Sequence, residues 1–564
     1  MTIRTGIHAR VTSVLAMGCL LGSMGAKSFP ISDPENPSIV TNAPEPIESD
    51  LRHQLALQSG FGAAPAGGGW TFTPAISFEE IWTDNVLNTE RNRRWDMLSV
   101  ATPSIAVLGD VPNAQVRFAY GPQFLLAART PQEDRITNQL LGTGLFTIVP
   151  DEFFVDARAF AGGSPVGGGF GPLGSGIAPL SAGFGGSDTL GLSKQNQVQS
   201  SSFSLAPYWL HRFNDTGTAK IGYQFNESAF AQGGIYLPVF FPAGPNSAYN
   251  LSHEGVAQFE TGDRFAPFRD FVSADARYQS GNRFNGDSTQ YVFVNRLGYL
   301  VNRNVSVFGD LGWEDLDFTN VSPNVHINDA IWGVGTTLIP NQDSQITLGF
   351  GHQNGQNAVQ VNGWYALTAR THISARYSTG LGTDLQNIVG QLDLLSLDST
   401  GTAVDTQSGA PLFLGNNGLG IQAGVFRTKS LLTSATTVLD RDQVSLYLQY
   451  SQSTTLATVP NNVTLPAGIT APPVGTTSNA WTGYATWVHQ LSEDWTMSSA
   501  VSYGTYHQSN SSNQHSVAAS LATQYLITQS LAATARYTFF DRISTTAGQS
   551  YYQNLVLVGL SKQF

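Results

Sequence analysis

The amino-acid sequence predicts an all-β protein, a transmembrane antiparallel up-and-down β-barrel of about 22 strands, with 16 to 22 as the range. Three observations predict this fold. They are an amphipathic strand at residues 551–564, a low content of charged residues, and segments of about ten alternating residues separated by turns. Together they predict that apolar side chains face lipid on the outside of the sheet and that small or polar side chains face water on its inside.

The strand at residues 551–564, YYQNLVLVGLSKQF, alternates in polarity and ends on an aromatic residue. A barrel in lipid must pair every backbone group, so its last strand closes against its first. Its outward side chains are then apolar, and its inward ones are small or polar. The residues predicted to share the lipid-facing side are Tyr552, Val556, Val558, Leu560 and Phe564.

Charged residues make up only 12% of the chain, against roughly 25% in soluble domains. The mean hydropathy is nevertheless near zero, at −0.09. Beyond the first 25 residues, no run of about 18 apolar residues could form a membrane-spanning helix. Alternating strands explain both properties, because their polar positions dilute the hydropathy of their apolar ones.

Residues 1–28 have the pattern of an export signal: Arg4 and Arg10, an apolar run, and small residues before Phe29. The only cysteine, Cys19, lies within it, so the mature chain would have no disulfide and no thiol chemistry. Residues 29–69 are predicted to be a disordered periplasmic leader, rich in proline and acid and then in glycine. The barrel would occupy residues 70–564. So short a leader is too small for a folded plug or a passenger domain.

Tight turns and long links alternate along the chain, as expected for short periplasmic turns and long extracellular loops. The predicted tight turns are Pro150-Asp151, 214–217, 302–304, 341–343, Arg370-Thr371, 440–442, 492–494 and Thr528-Gln529. The predicted long loops are 162–196, 231–251, 382–418 and 456–476. A soluble sandwich or propeller is the alternative all-β class, and the outward parity of apolar residues argues against it.

Two regions are similar to β-barrel porins associated with bacterial exopolysaccharide systems. The first runs from Ile76 to Leu108 and contains Phe78-Glu79-Glu80, Thr83-Asp84-Asn85 and the stretch 103–107 (PSIAV). The second runs from Gly424 to Tyr450, with a strand, a tight turn and a strand. The resemblance implies a barrel in the bacterial outer membrane and suggests exopolysaccharide as a cargo.

The end of the chain also resembles the signal read by the barrel-assembly machinery, at Gly559 and Phe564. It departs from that pattern at Leu557, where a polar residue is expected, and at Lys562, where an aromatic residue is expected. The resemblance therefore implies assembly by this machinery, with an efficiency that these two residues put in doubt.

Several charged side chains have the parity of the lumen, where a charge avoids the cost of facing lipid, about 2 to 4 kcal/mol at midplane. They could line a pore, where opposed acids and bases orient polar solutes, or they could pair and brace the inner wall. The candidates are Arg117, Asp156, Arg158, Lys220, Asp275, Arg277, Arg296, Asp310, Arg376 and Arg536. Inward aromatic residues that a sugar could stack on are Phe154, Phe160, Phe308, Tyr447, Tyr506 and Phe540.

The favoured function is a non-enzymatic, porin-like channel for passive passage of polar solutes or exopolysaccharide. One alternative is a structural or adhesive barrel whose loops 162–196 and 382–418 fill the lumen or bind partners. A second is a lipid-modifying hydrolase, which needs a Ser, a His and an acid together on the outer wall. His372 has inward parity, whereas His507 and His515 lie near the outer surface.

No cofactor and no metal site are expected from the sequence, since the acidic stretch 314–317 reads as a solvated rim. Removing Arg4, Arg10 and Lys27 with the signal leaves 25 basic and 40 acidic residues, a net charge of −15. This charge makes nucleic acid an unsuitable partner. The expected partners are outer-membrane lipid and lipopolysaccharide, the barrel-assembly machinery, and polysaccharide or small polar solutes.

Overall fold

The structure is a computed structural model. It describes residues 51, 68–168, 191–231, 247–282, 287–398, 403–406, 408–410, 412–415, 418–460, 465, 468–509 and 513–564. The predicted export signal lies outside the described residues, as does the predicted leader apart from Leu51 and residues 68–69. Leu51 is fully buried and packs against the inward side chains of Val488 and Ala522. No helix among the described residues has the length and apolar character needed to span a membrane.

Twenty-two antiparallel strands form one closed sheet, which we call the wall, so the predicted strand number is confirmed. The wall strands are β1 Gly69–Thr83, β2 Asp96–Val111, β3 Ala114–Ala127, β4 Arg135–Val149, β5 Phe153–Pro165, β6 Gln197–Arg212, β7 Gly217–Ala231, β8 Ala248–Thr261, β9 Phe268–Gly281, β10 Ser288–Asn302, β11 Val305–Phe318, β12 Val325–Leu338, β13 Gln345–Gln353, β14 Gln356–Thr368, β15 Thr371–Gly382, β18 Val425–Val438, β19 Asp442–Ala457, β20 Thr477–Ser492, β21 Trp495–Gln508, β22 Asn513–Thr528, β23 Leu531–Ser544 and β24 Tyr551–Gln563.

Short elements also lie between the wall strands. Between β15 and β18 the chain forms helix α1, Asp384–Leu392, and a small hairpin of β16, Leu395–Leu397, and β17, Ala403–Asp405. Single 3-10 turns occur at Pro131–Glu133, Lys194–Asn196 and Asp263–Phe265. The segment that carries α1, β16 and β17 lies inside the barrel and is described with the candidate site.

The sheet closes where β24 pairs antiparallel with β1, from Leu555↔Thr83 to Gln563↔Ala75. The amide of Phe564 extends this pairing by donating to Pro74 O over 2.9 Å. Every wall strand therefore has a neighbour on each side, as a sheet in lipid requires. The predicted tight turns all lie at the end of the barrel where the chain terminates, and the described ends of the predicted long loops lie at the opposite end.

The apolar face predicted for β24 is exposed on the outside of the barrel, with Tyr552 at 42%, Val558 at 58% and Phe564 at 75%. The same parity holds across the wall, where exposed large apolar side chains alternate with buried ones. This alternation confirms that the odd and even residues of each strand meet different solvents.

The inner face is less polar than expected. An apolar cluster, which includes Leu141, Phe160 and Phe230 of the wall, lies on the inside of β2 to β8. A second inner cluster joins Leu98, Val100, Leu555 and other side chains near the closure. Chain segments that enter the lumen cover much of this apolar surface, so it does not need polar residues to face water.

Leu311 allows a test of which face of the wall meets lipid. Leu311 lies at the middle of β11 and is 69% exposed on the outer face. We expect Leu311→Arg to lower the free energy of unfolding by about 2 to 4 kcal/mol, because it places a charge at the bilayer midplane. Urea unfolding in lipid vesicles, followed by tryptophan fluorescence, measures the change.

Ser430→Arg is the matched control, since Ser430 faces the lumen, where its Oγ lies 2.8 Å from Ser378 Oγ. We expect this variant to lose much less stability than Leu311→Arg. Equal losses for the two variants would contradict the assignment of the two faces.

Candidate functional site: the lumen and its loop insert

The segment between β15 and β18 folds into the lumen, and we call the described part of residues 383–424 the loop insert. Its helix α1 begins with a capping box. Gln386 N donates to Thr383 Oγ1 over 3.3 Å, and Thr383 N donates to Gln386 Oε1 over 2.8 Å. These bonds satisfy amides that the first turn of a helix leaves free. The sequence Thr-x-x-Gln before an apolar run is a signal that could have predicted this helix.

The apolar side of the loop insert packs on the inner face of the wall. The insert residues Leu385, Ile388, Leu392 and Leu395 are almost fully buried in the apolar cluster described above. Burial of one such side chain contributes about 1.5 to 3 kcal/mol relative to exposure. The insert is therefore held by a hydrophobic core inside the barrel as well as by polar contacts.

Arg158 is the main polar anchor of the loop insert. Its Nη1 donates to the carbonyl oxygens of Leu392, Asp393 and Leu395 at 3.3, 2.5 and 2.9 Å. Its Nε and Nη2 bind the two carboxylate oxygens of Asp156 at 2.9 and 3.0 Å. A cation at the C-terminal end of α1 also meets the negative end of the helix dipole. The buried charge is thus paired and hydrogen bonded at once.

Two more of the predicted lumenal arginines bind the same insert. Arg117 Nη1 donates to the carbonyls of Leu397 and Asp398 at 2.7 and 3.0 Å. Arg376 on β15 forms a 2.5 Å ion pair with Asp405 of β17. These arginines thus fix the insert at both of its short strands.

Neutral side chains of the wall complete the attachment. Gln224 Nε2 donates to Asp393 Oδ1 over 2.6 Å. Gln386 binds Gln279 and, over 3.3 Å, Ser288 Oγ. Gly415, with φ of 69°, lies so close to the wall that a Cβ there would be 2.5 Å from Ser164 Oγ.

The other predicted lumenal charges lie within the wall. Arg296 forms a double hydrogen bond to Asp310, at 2.6 and 2.8 Å, and lies 3.8 Å from the centroid of the Phe308 ring. Arg277 forms an ion pair with Glu254 of β8, with Nη2 and Oε2 2.5 Å apart. Glu254 is not among the residues predicted from the sequence, although it has inward parity on β8.

The remaining candidates lie on three different strands of the wall, β7, β9 and β23. Lys220 Nζ lies 4.4 Å from the centroid of the Tyr208 ring, and Asp275 is buried on β9. Arg536 is half-buried on β23 and lies opposite Leu557 of β24. Gly559 pairs with Glu79 and with Thr534 in the closing strands.

A cavity of about 260 Å³ lies between the loop insert and the wall. The charged side chains around it are those of Arg277, Arg376, Asp393 and Asp405. Glutamine and serine side chains of β10, β15, β18 and β19 add neutral polar groups, and Phe413 with neighbouring leucines supplies an apolar side. Such a lining can accept polar molecules, and also molecules that carry an apolar part.

Three of the outer-wall histidines bind asparagine, tyrosine or aspartate. His507 binds Asn513, His515 Nδ1 lies 3.1 Å from Tyr503 OH, and His352 Nε2 lies 2.9 Å from Asp329 Oδ2. These partners provide no serine nucleophile. Among the described residues, no group of three or more His, Cys, Asp and Glu side chains could hold a metal ion.

A closed sheet whose outer face carries large apolar side chains is the form in which β-strands span a bilayer. The protein is a β-barrel of the bacterial outer membrane. No family model matches the chain, and no curated protein matches it.

Solved structures of outer-membrane receptors are similar to this barrel. They include a variant of the ferric enterobactin receptor PfeA from Pseudomonas aeruginosa, with 9% identity, a TM-score of 0.40, and coverage of 87% of this chain and 80% of that one. The FrpB iron transporter from Neisseria meningitidis has 8% identity, a TM-score of 0.46 and coverage of 87% and 81%. The ferric-catecholate import receptor Fiu from E. coli K12 has 10% identity, a TM-score of 0.45 and the same coverage. At such low identities and TM-scores the ligands of these receptors say nothing about the ligand of this chain.

Replacing Arg158 tests how the loop insert is anchored. We expect Arg158→Ala to lower the local opening free energy of the insert by about 3 to 5 kcal/mol, because it leaves Asp156 and three carbonyl groups buried without their cation. Hydrogen exchange of the amides in 384–397 measures this loss.

Arg296→Ala is the matched control, because the contacts of Arg296 described above are with the wall residues Asp310 and Phe308. It should leave exchange in the insert unchanged. Similar acceleration by both variants would contradict a specific anchoring role for Arg158.

Asp384 makes the attachment of the insert dependent on pH. Burial raises the pKa of its carboxyl to about 7, although hydrogen bonds from Gln422 N and Asn387 lower it. The docked insert therefore holds a proton that an exposed aspartate, with a pKa of about 3.9, has already released. Docking is then strongest at low pH and weakens as the pH rises towards 7.

We expect amides of α1 to exchange faster relative to their intrinsic rates as the pH rises from about 5 to about 8. Asp384→Asn removes the titrating group and should remove this dependence. A pH dependence that persists in Asp384→Asn would assign the effect to another group.

Proposed function

We propose that this protein is a passive channel for polar solutes whose lumen is narrowed by the loop insert. The observation that carries the proposal is the docking of the insert beside a polar cavity, through Arg117, Arg158 and Arg376. These three candidates are then positioning residues, while Arg277 faces the remaining space. Field lines between paired acids and bases across a lumen can orient polar solutes.

The resemblance to porins of exopolysaccharide systems supports a saccharide as the solute. The cavity adds hydroxyl and amide groups beside Phe413, which stacks on Tyr484 with 5.7 Å between ring centroids. Aromatic faces beside polar groups suit the mixed surface of a sugar ring. A polymer would need the insert to leave its docked position, whereas a small saccharide would not.

The proposal also covers how the barrel is assembled and which molecules surround it. Gly559 and Phe564 would present the signal for the barrel-assembly machinery, and the aromatic exterior would contact outer-membrane lipid and lipopolysaccharide. We propose no catalytic role, because the outer-wall histidines described above are bound to groups other than serine.

The loop-filled lumen also supports a second candidate, a structural or adhesive barrel that conducts nothing. The insert buries several leucines in an apolar core, which favours a permanent attachment. The two candidates differ in whether the lumen opens when the insert is absent.

Planar-bilayer recordings of the refolded protein test the proposal. We expect small currents from the natural chain and several-fold larger currents after deletion of residues 384–423, because the deletion removes α1, β16 and β17 from the lumen. Arg158→Ala should raise the frequency of opening without the deletion, while Arg296→Ala should not.

Absence of current from both the natural chain and the deletion variant would reject the channel and favour the structural barrel. Circular dichroism and a heat-dependent shift in electrophoretic mobility would first show that each variant has folded as a barrel.

A further inference from the structure

A cleft of about 400 Å³ lies in the wall near its extracellular end, between β4 and the pair formed by β5 and β6. Pairing of β4 with β5 stops at Leu140↔Ala161, although both strands continue to pair with their other neighbours beyond this point. Residues 135–139 of β4 and 162–165 of β5 therefore separate. We call the space between them the β4–β5 cleft.

The side chain of Gln199, on β6, closes the cleft at its base. Its Oε1 accepts a hydrogen bond from Asn138 N over 2.8 Å, and its Nε2 donates to Asn138 O over 3.0 Å. A residue of a neighbouring antiparallel strand makes the same two bonds at an edge. The carboxamide of Gln199 thus takes the place of a peptide group, and it shows that this edge of β4 binds amides.

Hydrogen bonds between two connections close the cleft at its outer rim. Lys194 N donates to Glu133 Oε2 over 2.6 Å, and Lys194 Nζ donates to Asp134 O over 2.8 Å. Arg135 Nη2 donates to Leu192 O over 3.1 Å. The two sides are therefore joined above and below the cleft, and they cannot move apart or together without breaking these bonds.

The backbone of Ile136 offers the next binding place on the same edge. Residues two positions apart in an antiparallel strand direct their N–H and C=O groups to the same side, so Ile136 directs both groups into the cleft, as Asn138 does. No described residue of β5 pairs with Ile136. An amide can bind there just as the carboxamide of Gln199 binds beside it.

The remaining lining of the β4–β5 cleft favours a neutral ligand with hydroxyl groups. Its volume is within the range of small-molecule sites, about 300 to 1,000 Å³. Gln132, Gln197 and Thr137 line it with polar, uncharged residues, and Gly163 leaves room on the side of β5. The charged residues at the rim already bind each other or backbone groups, so an ionic ligand would have to displace the contacts described above.

We propose that the β4–β5 cleft binds a sugar unit that carries an acetamido group. The amide of this group pairs with the backbone of Ile136, and the sugar hydroxyls bind the neutral polar groups around it. The cleft shares no lining residue with the cavity beside the loop insert. Binding here does not depend on conduction, so it stands or falls separately from the channel function proposed above.

Two disaccharides test the amide requirement on the natural chain in detergent. Di-N-acetylchitobiose and cellobiose differ only in having an acetamido or a hydroxyl group at C2 of each ring. We expect calorimetric titration to show about tenfold tighter binding of di-N-acetylchitobiose, because cellobiose leaves the backbone groups of Ile136 without an amide partner. Equal affinities, or no binding of either sugar, would overturn the proposal.

A third probe, N-acetylalanine methylamide, carries two amides and no hydroxyl group. We expect it to bind more weakly than di-N-acetylchitobiose, because it cannot use the hydroxyl-binding part of the lining. Binding as tight as that of the sugar would reject the sugar and assign the cleft to peptides.

Ile136→Pro tests the binding place itself, because proline has no N–H to offer the acetamido oxygen. The lost N–H faces the cleft and not β3, and proline is tolerated near the start of a strand at such an edge. We expect about fivefold weaker binding of di-N-acetylchitobiose. Ile136→Val keeps the N–H and is the matched control, with unchanged affinity.

Unchanged affinity in a folded Ile136→Pro variant would overturn the pairing with Ile136. A heat-dependent shift in electrophoretic mobility shows whether the variant has folded. The comparison of the two disaccharides uses the natural chain, so it decides the proposal even where Ile136→Pro does not fold.

Discussion

A lipid bilayer offers no hydrogen bonds to a polypeptide backbone, and this constraint determines most of the molecule. It requires the pairing of β24 with β1 and forces every residue to face either lipid or lumen. It also makes any place where pairing stops expensive, unless other atoms cover it. The closed wall and the filled interior are two responses to the same requirement.

The filled interior shows how a wide barrel can hold an ordered segment without a separate domain. A lumen lined only by polar groups would leave the loop insert solvated, with little to offset its loss of conformational entropy. The inner face instead supplies an apolar surface for Leu385 and Leu392, and the arginines bind carbonyl groups that a short helix and hairpin leave free. Hydrophobic burial therefore gives the stability, and Arg117 and Arg158 give the position.

Structure that follows from neighbouring residues could be predicted from the sequence, whereas contacts between distant residues could not. Face parity in β24, the tight turns and the strand number could be predicted, because they follow from neighbouring residues and from the requirement for pairing. The docking of the insert could not be predicted in this way, since Arg158 and Leu392 are 234 positions apart. Parity placed Arg158 towards the lumen but did not say whether water or protein would meet it there. The capping box of Thr383 and Gln386 is a local signal, and so is the turn of Asn354 and Gly355 between β13 and β14. Neither belongs to the pattern of alternating polar and apolar residues that predicts the strands.

The loop insert is attached to β15, which pairs with β18 from Thr371 to Gly382 but with β14 only as far as Tyr377. β15 contributes Arg376, which binds Asp405 of the insert, and two residues later begins the unpaired edge at Ser378. A displacement of the insert would remove this ion pair from a strand that β14 holds only as far as Tyr377. The free upper half of β15 could then move, because its pairing with β18 and the contacts of Leu381 would be the main restraints left. Release of the insert and movement of β15 are thus coupled through the ion pair between Arg376 and Asp405.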